Sequence, residues 1–231
     1  NDTIPKNNFW SESKSILIKD LPNNNSPSIG VAVFDGINQD GIPYNESSEY
    51  TGIADTLSSN FINLESLLSK DSVFLSFLWK INNFSEFPDD NDSIRLQFLN
   101  RENKWETIWK AIGNQSNQTE YFNHEIFHLK DKFLHKNYRF RFQNFGKLNG
   151  PFDSWVIDYI YLNNNRNSND TIFIDRTLTY KPKNIFGSLT SIPMEQFLNN
   201  PDLFLDSINV GFNNLNNQIQ PIEFNCIVYD L

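Results

Sequence analysis

Apolar and polar residues alternate along several short segments of this chain, which is the pattern of a β-strand with one buried face. In the clearest segment Ile94, Leu96 and Phe98 would point to one side, and Arg95 and Gln97 to the other. Half-buried antiparallel strands produce a period of two. Such segments therefore predict a sheet with one apolar and one polar face.

Tryptophans follow the same period in the next segment. Trp105, Thr107 and Trp109 are predicted to share a face. Large aromatic rings bury much apolar area and suit the pleated surface of a sheet. We therefore expect both tryptophans, together with Trp79 and Trp155, to lie in the core and not on a ligand-binding surface.

The segment 155–162 differs because both of its faces are apolar. Its odd-numbered residues, from Trp155 to Tyr161, would occupy one face, and its even-numbered residues are apolar apart from Asp158. A strand that is buried on both sides has this pattern. We expect it to be a central strand of the fold.

Polar, Asn-rich breaks divide the chain. Many short strands at even spacing predict an all-β fold, a jelly-roll β-sandwich over residues 29–180. Residues 1–28 read as a polar N-terminal segment, and residues 181–205 as a linker with a short helix near Pro193–Phe197. Residues 206–231 are predicted to form a C-terminal β-hairpin extension, which could begin a second β domain.

Composition narrows the classes of partner. The formal net charge is −9, so nucleic acid is not expected as a partner because binding it draws on cationic contacts to phosphates. The single cysteine, Cys226, excludes an internal disulfide and a cysteine metal cage. The most apolar stretch, Val73–Trp79, is too short for a transmembrane segment.

Five segments occur in an order that resembles MAM-like and carbohydrate-binding-type jelly rolls: Val73–Trp79, Ser93–Phe98, Trp105–Trp109, Tyr138–Phe142 and Asp153–Leu162. This likeness covers about residues 29–162 and implies the jelly-roll fold. The cysteines of animal MAM domains are missing, so only the fold carries over.

A second likeness concerns the segments before this region. Ile29–Gly36, Gly41–Tyr44 and Ala54–Leu57 together resemble surface proteins of Bacteroidota. The resemblance implies an extracellular or cell-surface location with outer-membrane association.

The sharpest catalytic string is His124-Glu125-Ile126-Phe127-His128, which matches H-E-x-x-H. On a helix its two histidines could share a Zn²⁺ ion, with Glu125 as general base of a metalloprotease. On a strand the histidines would lie about 13 Å apart, too far for one ion. We favour the strand and expect no zinc and no peptidase activity, and a non-catalytic protein is the favoured interpretation. Paired carboxylates of a glycosidase carry no local motif and stay open.

Asp158 is the leading candidate for a metal ligand. A carboxylate within a buried strand needs hydrogen bonds or a cation, and Ca²⁺ prefers oxygen ligands. In calcium-binding jelly rolls an aspartate of the closing strand often binds structural Ca²⁺, and the resemblance extends this role to Asp158. Further ligands would come from Asp35, from Asp153 and from the cluster Asp89-Asp90-Asp92. The alternative is an aspartate that accepts hydrogen bonds from backbone amides.

Six Asp-(Ser/Thr)-aliphatic triplets match the O-glycosylation motif of Bacteroidota, at Thr3, Thr56, Ser72, Ser93, Thr171 and Ser207. The same pairs are also a common way to enter a strand. If the motif operates, the protein is a glycoprotein.

These observations predict a non-catalytic binding or assembly module, held by protein partners in an outer-membrane or extracellular complex. The main alternative is a glycan-binding module. A zinc metalloprotease or a glycosidase is the third interpretation.

Overall fold

The computed structural model describes residues 8–12, 17–19, 26–47, 50–81, 86–114, 119–180, 185–187, 189, 191–219, 221–223 and 225. Thr3 and Cys226, which the sequence singled out, lie outside these ranges. Over the described residues the protein is an all-β sandwich of antiparallel sheets, as the alternation predicts.

Ten strands form two five-stranded sheets. The first, called the front sheet, has the order β1 (Trp10–Glu12), β4 (Thr51–Ser59), β9 (Phe140–Lys147), β6 (Ser93–Leu99) and β7 (Trp105–Ile112). The second, called the back sheet, has the order β2 (Leu17–Lys19), β3 (Val31–Phe34), β10 (Trp155–Asn163), β5 (Phe74–Ile81) and β8 (Asn123–His128). Apart from β2–β3 and β6–β7, the neighbours in each sheet are not consecutive in the chain, which is the crossed connection of a jelly roll.

The core lies between the two sheets and is dominated by aromatic rings. Phe77 of the back sheet lies 4.8 Å from Phe142 of the front sheet, measured between ring centroids. Phe34, Phe98 and Trp155 are also fully buried. Burying each such ring stabilises the fold by about 1.5–3 kcal/mol, so this aromatic layer holds the sheets together.

A β-bulge in β7 overturns one expectation about the tryptophans. Thr107 lies opposite Gln97 whereas Trp109 lies opposite Leu96, so one extra residue separates them. A bulge of this kind turns the residues on its two sides to opposite faces. Trp109 therefore packs on the core, as predicted, but Trp105 stays on the outer face with Thr107, contrary to prediction.

A second bulge interrupts β10 between Asp158 and Tyr161. Tyr159 has a φ of 53°, in the left-handed region that non-glycine residues rarely adopt. Trp155 remains in the core, but beyond the bulge the rings of Tyr159 and Tyr161 pack against Phe173, which belongs to the segment after β10. The expectation that these tyrosines share a face with Trp155 was wrong for this reason.

The C-terminal part adds a short helix, α1 (Met194–Asn199), near the position predicted from the sequence. Strand β11 (Arg176–Tyr180) pairs with β12 (Gly211–Asn214) in a two-stranded antiparallel sheet. The domain boundaries proposed from the sequence stay a prediction. Among the described residues, no helix has the length and apolarity needed to cross a bilayer.

Candidate functional site

The outer face of the front sheet carries an ordered set of polar side chains, here called the polar face. It consists of the outward-pointing residues of β4, β9, β6 and β7. In its middle, Gln143 donates from Nε2 to Oγ1 of Thr56 at 3.0 Å. Arg95 donates from Nε to Oε1 of the same Gln143 at 3.2 Å. One glutamine thus joins three strands.

A second chain of hydrogen bonds runs beside the first. Arg141 donates from Nε to Oε1 of Gln97 at 2.7 Å. Gln97 in turn donates from Nε2 to Oγ1 of Thr107 at 3.0 Å. Both Gln97 and Gln143 are buried, while Thr107 is exposed. The floor of the polar face is therefore held rigidly, with its outer groups open to solvent.

Aromatic rings border the polar face at one end. The guanidinium of Arg141 stacks 4.3 Å from the ring of Trp105. Arg139 lies 5.7 Å from the same ring and 5.2 Å from the ring of Phe61, which is 65% exposed. Stacking of this kind holds both cation and ring in place.

Apolar side chains border the opposite end. Ile53 of β4 pairs with Phe145 of β9, and both are exposed. Ile112 at the end of β7 is also exposed. Three exposed apolar side chains on one sheet face are a contact surface for an apolar group. The polar floor thus has an apolar border at each end, about 20 Å apart along the strands.

The H-E-x-x-H segment forms strand β8, as the analysis of the sequence favoured. His124 lies opposite Leu78, and His128 lies opposite Phe74 four residues along the strand. Four residues of a strand span about 13 Å, so the two imidazoles cannot share an ion. Glu125 instead accepts a hydrogen bond from Nε1 of Trp79 at 3.2 Å.

His124 has a partly apolar surrounding. Its ring lies 5.8 Å from the ring of Phe173, and its Nε2 atom is buried without a hydrogen-bond partner in the described part of the chain. Burial, together with the nearby Arg166 cation, lowers the pKa of His124. The imidazole is therefore held neutral, which suits packing in the back sheet.

Asp158 serves as an acceptor for neighbouring amides. Its carboxylate accepts hydrogen bonds from the backbone N of Ser28 at 3.1 Å and of Tyr159 at 2.7 Å, and from Oγ of Ser28 at 2.9 Å. Burial raises the pKa of Asp158 to about 6, although these donors favour the charged form. The contacts tie the segment before β3 to the bulge of β10.

Asp35 and Asp158 do not lie close to each other in the fold. Asp35 follows Phe34, which lies opposite Trp155, so in this antiparallel pair Asp35 is level with Ser154, four residues or roughly 13 Å along the strand from Asp158. Oδ1 of Asp35 accepts from the backbone N of Ile37 at 3.0 Å. The shared metal site that the resemblance implied is thus not formed by this pair.

A different acidic group gathers at the end of the front sheet. Among the described residues, Asp89, Asp92 and Asp153 each place one carboxylate oxygen within 4.8 Å of the others. Burial raises the pKa of Asp92 to about 6, with a further contribution from the neighbouring carboxylates. Lys147 lies 3.4 Å from Asp89 and compensates part of this charge. The sequence had named these aspartates only as secondary ligands.

The predicted glycosylation residues differ in exposure. Thr171 and Ser207 are exposed, Ser72 is half-buried, and Ser93 is buried within β6. Thr56 is half-buried and its hydroxyl accepts from Gln143 in the polar face. Exposure makes Thr171 and Ser207 the most accessible of the described residues for modification.

The alternation in β6 placed Arg95 and Gln97 away from the core, but no pattern in the sequence joined them to Arg141 and Gln143 of β9. The bonds between them depend on β9 lying between β4 and β6. No local pattern reports that order.

No protein-family model matches the sequence, and no curated protein matches it. Among solved structures, a carbohydrate-binding module, CBM28, specific for non-crystalline cellulose has 13% identity and a TM-score of 0.38, with 66% of this chain and 86% of that chain covered. CBM27-1 of Caldicellulosiruptor saccharolyticus, in complex with mannohexaose, has 13% identity and a TM-score of 0.35, with 68% and 82% covered. The xylan-binding module CBM15 has 10% identity and a TM-score of 0.34, with 65% and 98% covered. Likenesses with TM-scores below 0.5 leave the function of this chain to be argued from its own residues.

Proposed function

We propose that this protein is a non-catalytic module that binds a polysaccharide on the polar face. The observation that carries the proposal is the hydrogen-bonded row of amide, guanidinium and hydroxyl groups on an outer sheet face, with Trp105 at its border. A sugar chain presents many hydroxyls around an apolar ring face. Fixed polar groups beside an aromatic ring match both features.

The hydrogen bonds within the polar face do not use all of its N–H donors. A guanidinium has five N–H groups. Arg95 uses Nε and Nη2 toward Gln143, which leaves Nη1 available for a ligand. Because the side chain is already held by Gln143, little rotamer entropy is lost when a ligand binds. Pre-ordered donors of this type favour recognition of a polar chain.

Affinity electrophoresis tests this proposal. The protein is run in native gels that contain one polysaccharide each, from a panel of neutral and acidic glycans. We expect at least one glycan to retard the protein, and Trp105→Ala to abolish that retardation. Tyr121→Ala is the matched control because Tyr121 is 66% exposed and lies outside the front sheet. It should be retarded like the unaltered protein.

Two results would overturn the proposal. One is that no glycan of the panel retards the protein while its circular dichroism shows folded β-sheet. The other is that Trp105→Ala and Tyr121→Ala reduce retardation equally, which would place binding outside the polar face.

A second candidate function is assembly with protein partners at a cell surface. The observation that favours it is the exposed apolar side chains of the C-terminal part: Ile174 and Ile219 are 93% and 99% exposed, and Leu203 is 78% exposed. Apolar residues in such numbers mark contact surfaces. An outer-membrane location in a Bacteroidota cell stays a prediction, which fractionation of the native host checks.

A structural Ca²⁺ also stays a prediction. The residues that would hold it are Asp89, Asp92 and Asp153, because carboxylate oxygens suit this ion. Oδ1 of Asp153 is buried and lacks a hydrogen-bond partner among the described residues. A melting temperature that is equal in Ca²⁺ and in chelator would argue against the ion.

A further inference from the structure

The polar face is cationic although the whole chain has a net charge of −9. The outward positions of β4, β9, β6 and β7 include Arg95, Lys110, Arg141 and Lys147, and Arg139 lies just before β9. None of the outward positions of these four strands carries a carboxylate, while the edge strand β1 places Glu12 opposite Ser58 of β4. The distribution of charge is thus strongly uneven.

Neutral groups hold two of these cations, Arg95 and Arg139. Arg95 is bonded to the amide oxygen of Gln143, and Arg139 to the backbone oxygen of Ser59 at 2.8 Å and to Oγ of Ser11. Within the described residues, Arg95, Arg139 and Lys110 take part in no salt bridge. A neutral acceptor orients a guanidinium without cancelling its charge.

Two of the cations oppose each other directly. Arg95 of β6 is the cross-strand partner of Lys110 of β7. Like charges in this position destabilise a sheet. An anion placed between the two side chains would relieve the repulsion. The pair therefore has the properties of a binding site for a negatively charged group.

Among the described side chains, two acidic groups pair with a cation at one end of the face. Glu86 and Asp89 bind Lys147, at 2.9 Å and 3.4 Å from its Nζ. Lys147 lies beyond Phe145, at the end of β9 away from Arg139 and Arg141. The pair of Arg95 and Lys110 in the middle of the polar face is not reached by these two carboxylates.

We infer that the polar face selects acidic polysaccharides, with a uronate carboxylate bound between Arg95 and Lys110. The inference rests on the proposed glycan-binding function and names its ligand class. A guanidinium presents a planar pair of N–H groups that matches the two oxygens of a carboxylate. The sugar ring bearing the carboxylate lies toward Trp105.

A matched pair of ligands tests the inference. Polygalacturonate and its fully methyl-esterified form share one backbone and differ only in carboxylate charge. Isothermal titration at low salt should give at least about tenfold tighter binding for the charged form, since charge-assisted hydrogen bonds are the stronger class. Added salt should remove most of the difference.

Three variants locate the effect. Arg95→Gln should lower the affinity for polygalacturonate about tenfold and the affinity for the ester by much less, because only the charged ligand loses a charge-assisted hydrogen bond. Arg95→Lys keeps the charge but loses the planar fork, so it should lower affinity less than Arg95→Gln. Lys132→Gln is the control, because Lys132 pairs with Glu106 at the edge of the fold and should not affect binding.

The outcomes separate the two proposals. If the ester and the acid bind equally and Trp105→Ala abolishes both, glycan binding stands and the inference is wrong. If neither polymer nor any neutral glycan binds, both proposals fall. Dextran sulfate or single-stranded DNA binding as tightly as polygalacturonate would also overturn the inference, because the face would then attract any polyanion.

Discussion

Asp158 shows how a single carboxylate can be both well bonded and expensive to ionise. It accepts three hydrogen bonds, yet burial raises its pKa from 3.8 to about 6. The folded state therefore binds more protons than the unfolded chain between about pH 4 and pH 6. In that window the free energy of unfolding falls as the pH rises. Above it, the stabilisation that comes from the protonated Asp158 is fully lost.

Asp158→Asn removes this titration. We compare the free energies of unfolding of the unaltered protein and of the variant. The first minus the second should fall by on the order of 2 kcal/mol from pH 4 to pH 7. Urea unfolding at several pH values measures the difference. Ser28→Ala is a companion variant: it removes a donor that favours the charged form, so the window should extend to higher pH. A difference independent of pH would contradict the prediction.

Two aromatic residues, Trp105 and Tyr159, lie on the opposite face of their strands from the one that the alternation predicts. The alternation correctly identified which segments are strands. It assumes, however, that successive side chains always point to opposite faces of the sheet. A bulge adds one residue and reverses the faces beyond it. Neither bulge lies at a glycine: Tyr159 adopts its positive φ without the residue type that usually signals one. Composition therefore could not reveal them.

At the scale of elements, β6 and β7 carry a repulsive pair that the fold itself does not need. Lys110→Glu would place a carboxylate opposite Arg95. We expect the free energy of unfolding to rise by about 0.5 kcal/mol at low salt while affinity for polygalacturonate falls. Binding sites often combine lower stability with function in this way.

Chemical denaturation at low and high salt measures the effect of Lys110→Glu. The gain should shrink at 1 M salt, where charges are screened within about 3 Å. Lys136→Glu is the control, because Lys136 is exposed and lies outside the strands. Equal gains for both variants would show a general effect of net charge.

The extended conformation of β8 determines whether the H-E-x-x-H segment can bind zinc. Because His124 and His128 are about 13 Å apart along it, we expect no stoichiometric zinc after incubation with the metal and dialysis. Elemental analysis checks this. One zinc per chain that disappears in His128→Ala would contradict the prediction and restore the metalloprotease interpretation.

At the scale of the molecule, the periodicity of short strands was sufficient to predict the all-β sandwich. The candidate site could not be predicted in the same way. Its hydrogen-bonded side chains are Thr56, Arg95, Gln97, Thr107, Arg141 and Gln143, which are spread over nearly ninety residues of sequence. They meet only through the strand order of the front sheet, which is a long-range property.

The core also predicts which part of the chain folds alone. The buried core clusters of the described residues draw on no residue after Phe173. A chain that ends at Asp175 should therefore keep the cooperative unfolding and nearly the melting temperature of the whole protein. Calorimetry measures both. A chain that ends at Ser154 lacks β10, the central strand of the back sheet, and should not fold.

The separation of a cationic face from an otherwise acidic body gives the molecule an electric dipole. Near a negatively charged surface, this dipole turns the polar face toward the surface before any contact is made, and so raises the rate of encounter and not only its strength. The effect reaches about 8 Å at physiological ionic strength and farther in dilute media. Salt thus controls how fast the protein arrives, even where it scarcely alters how the bound state is built.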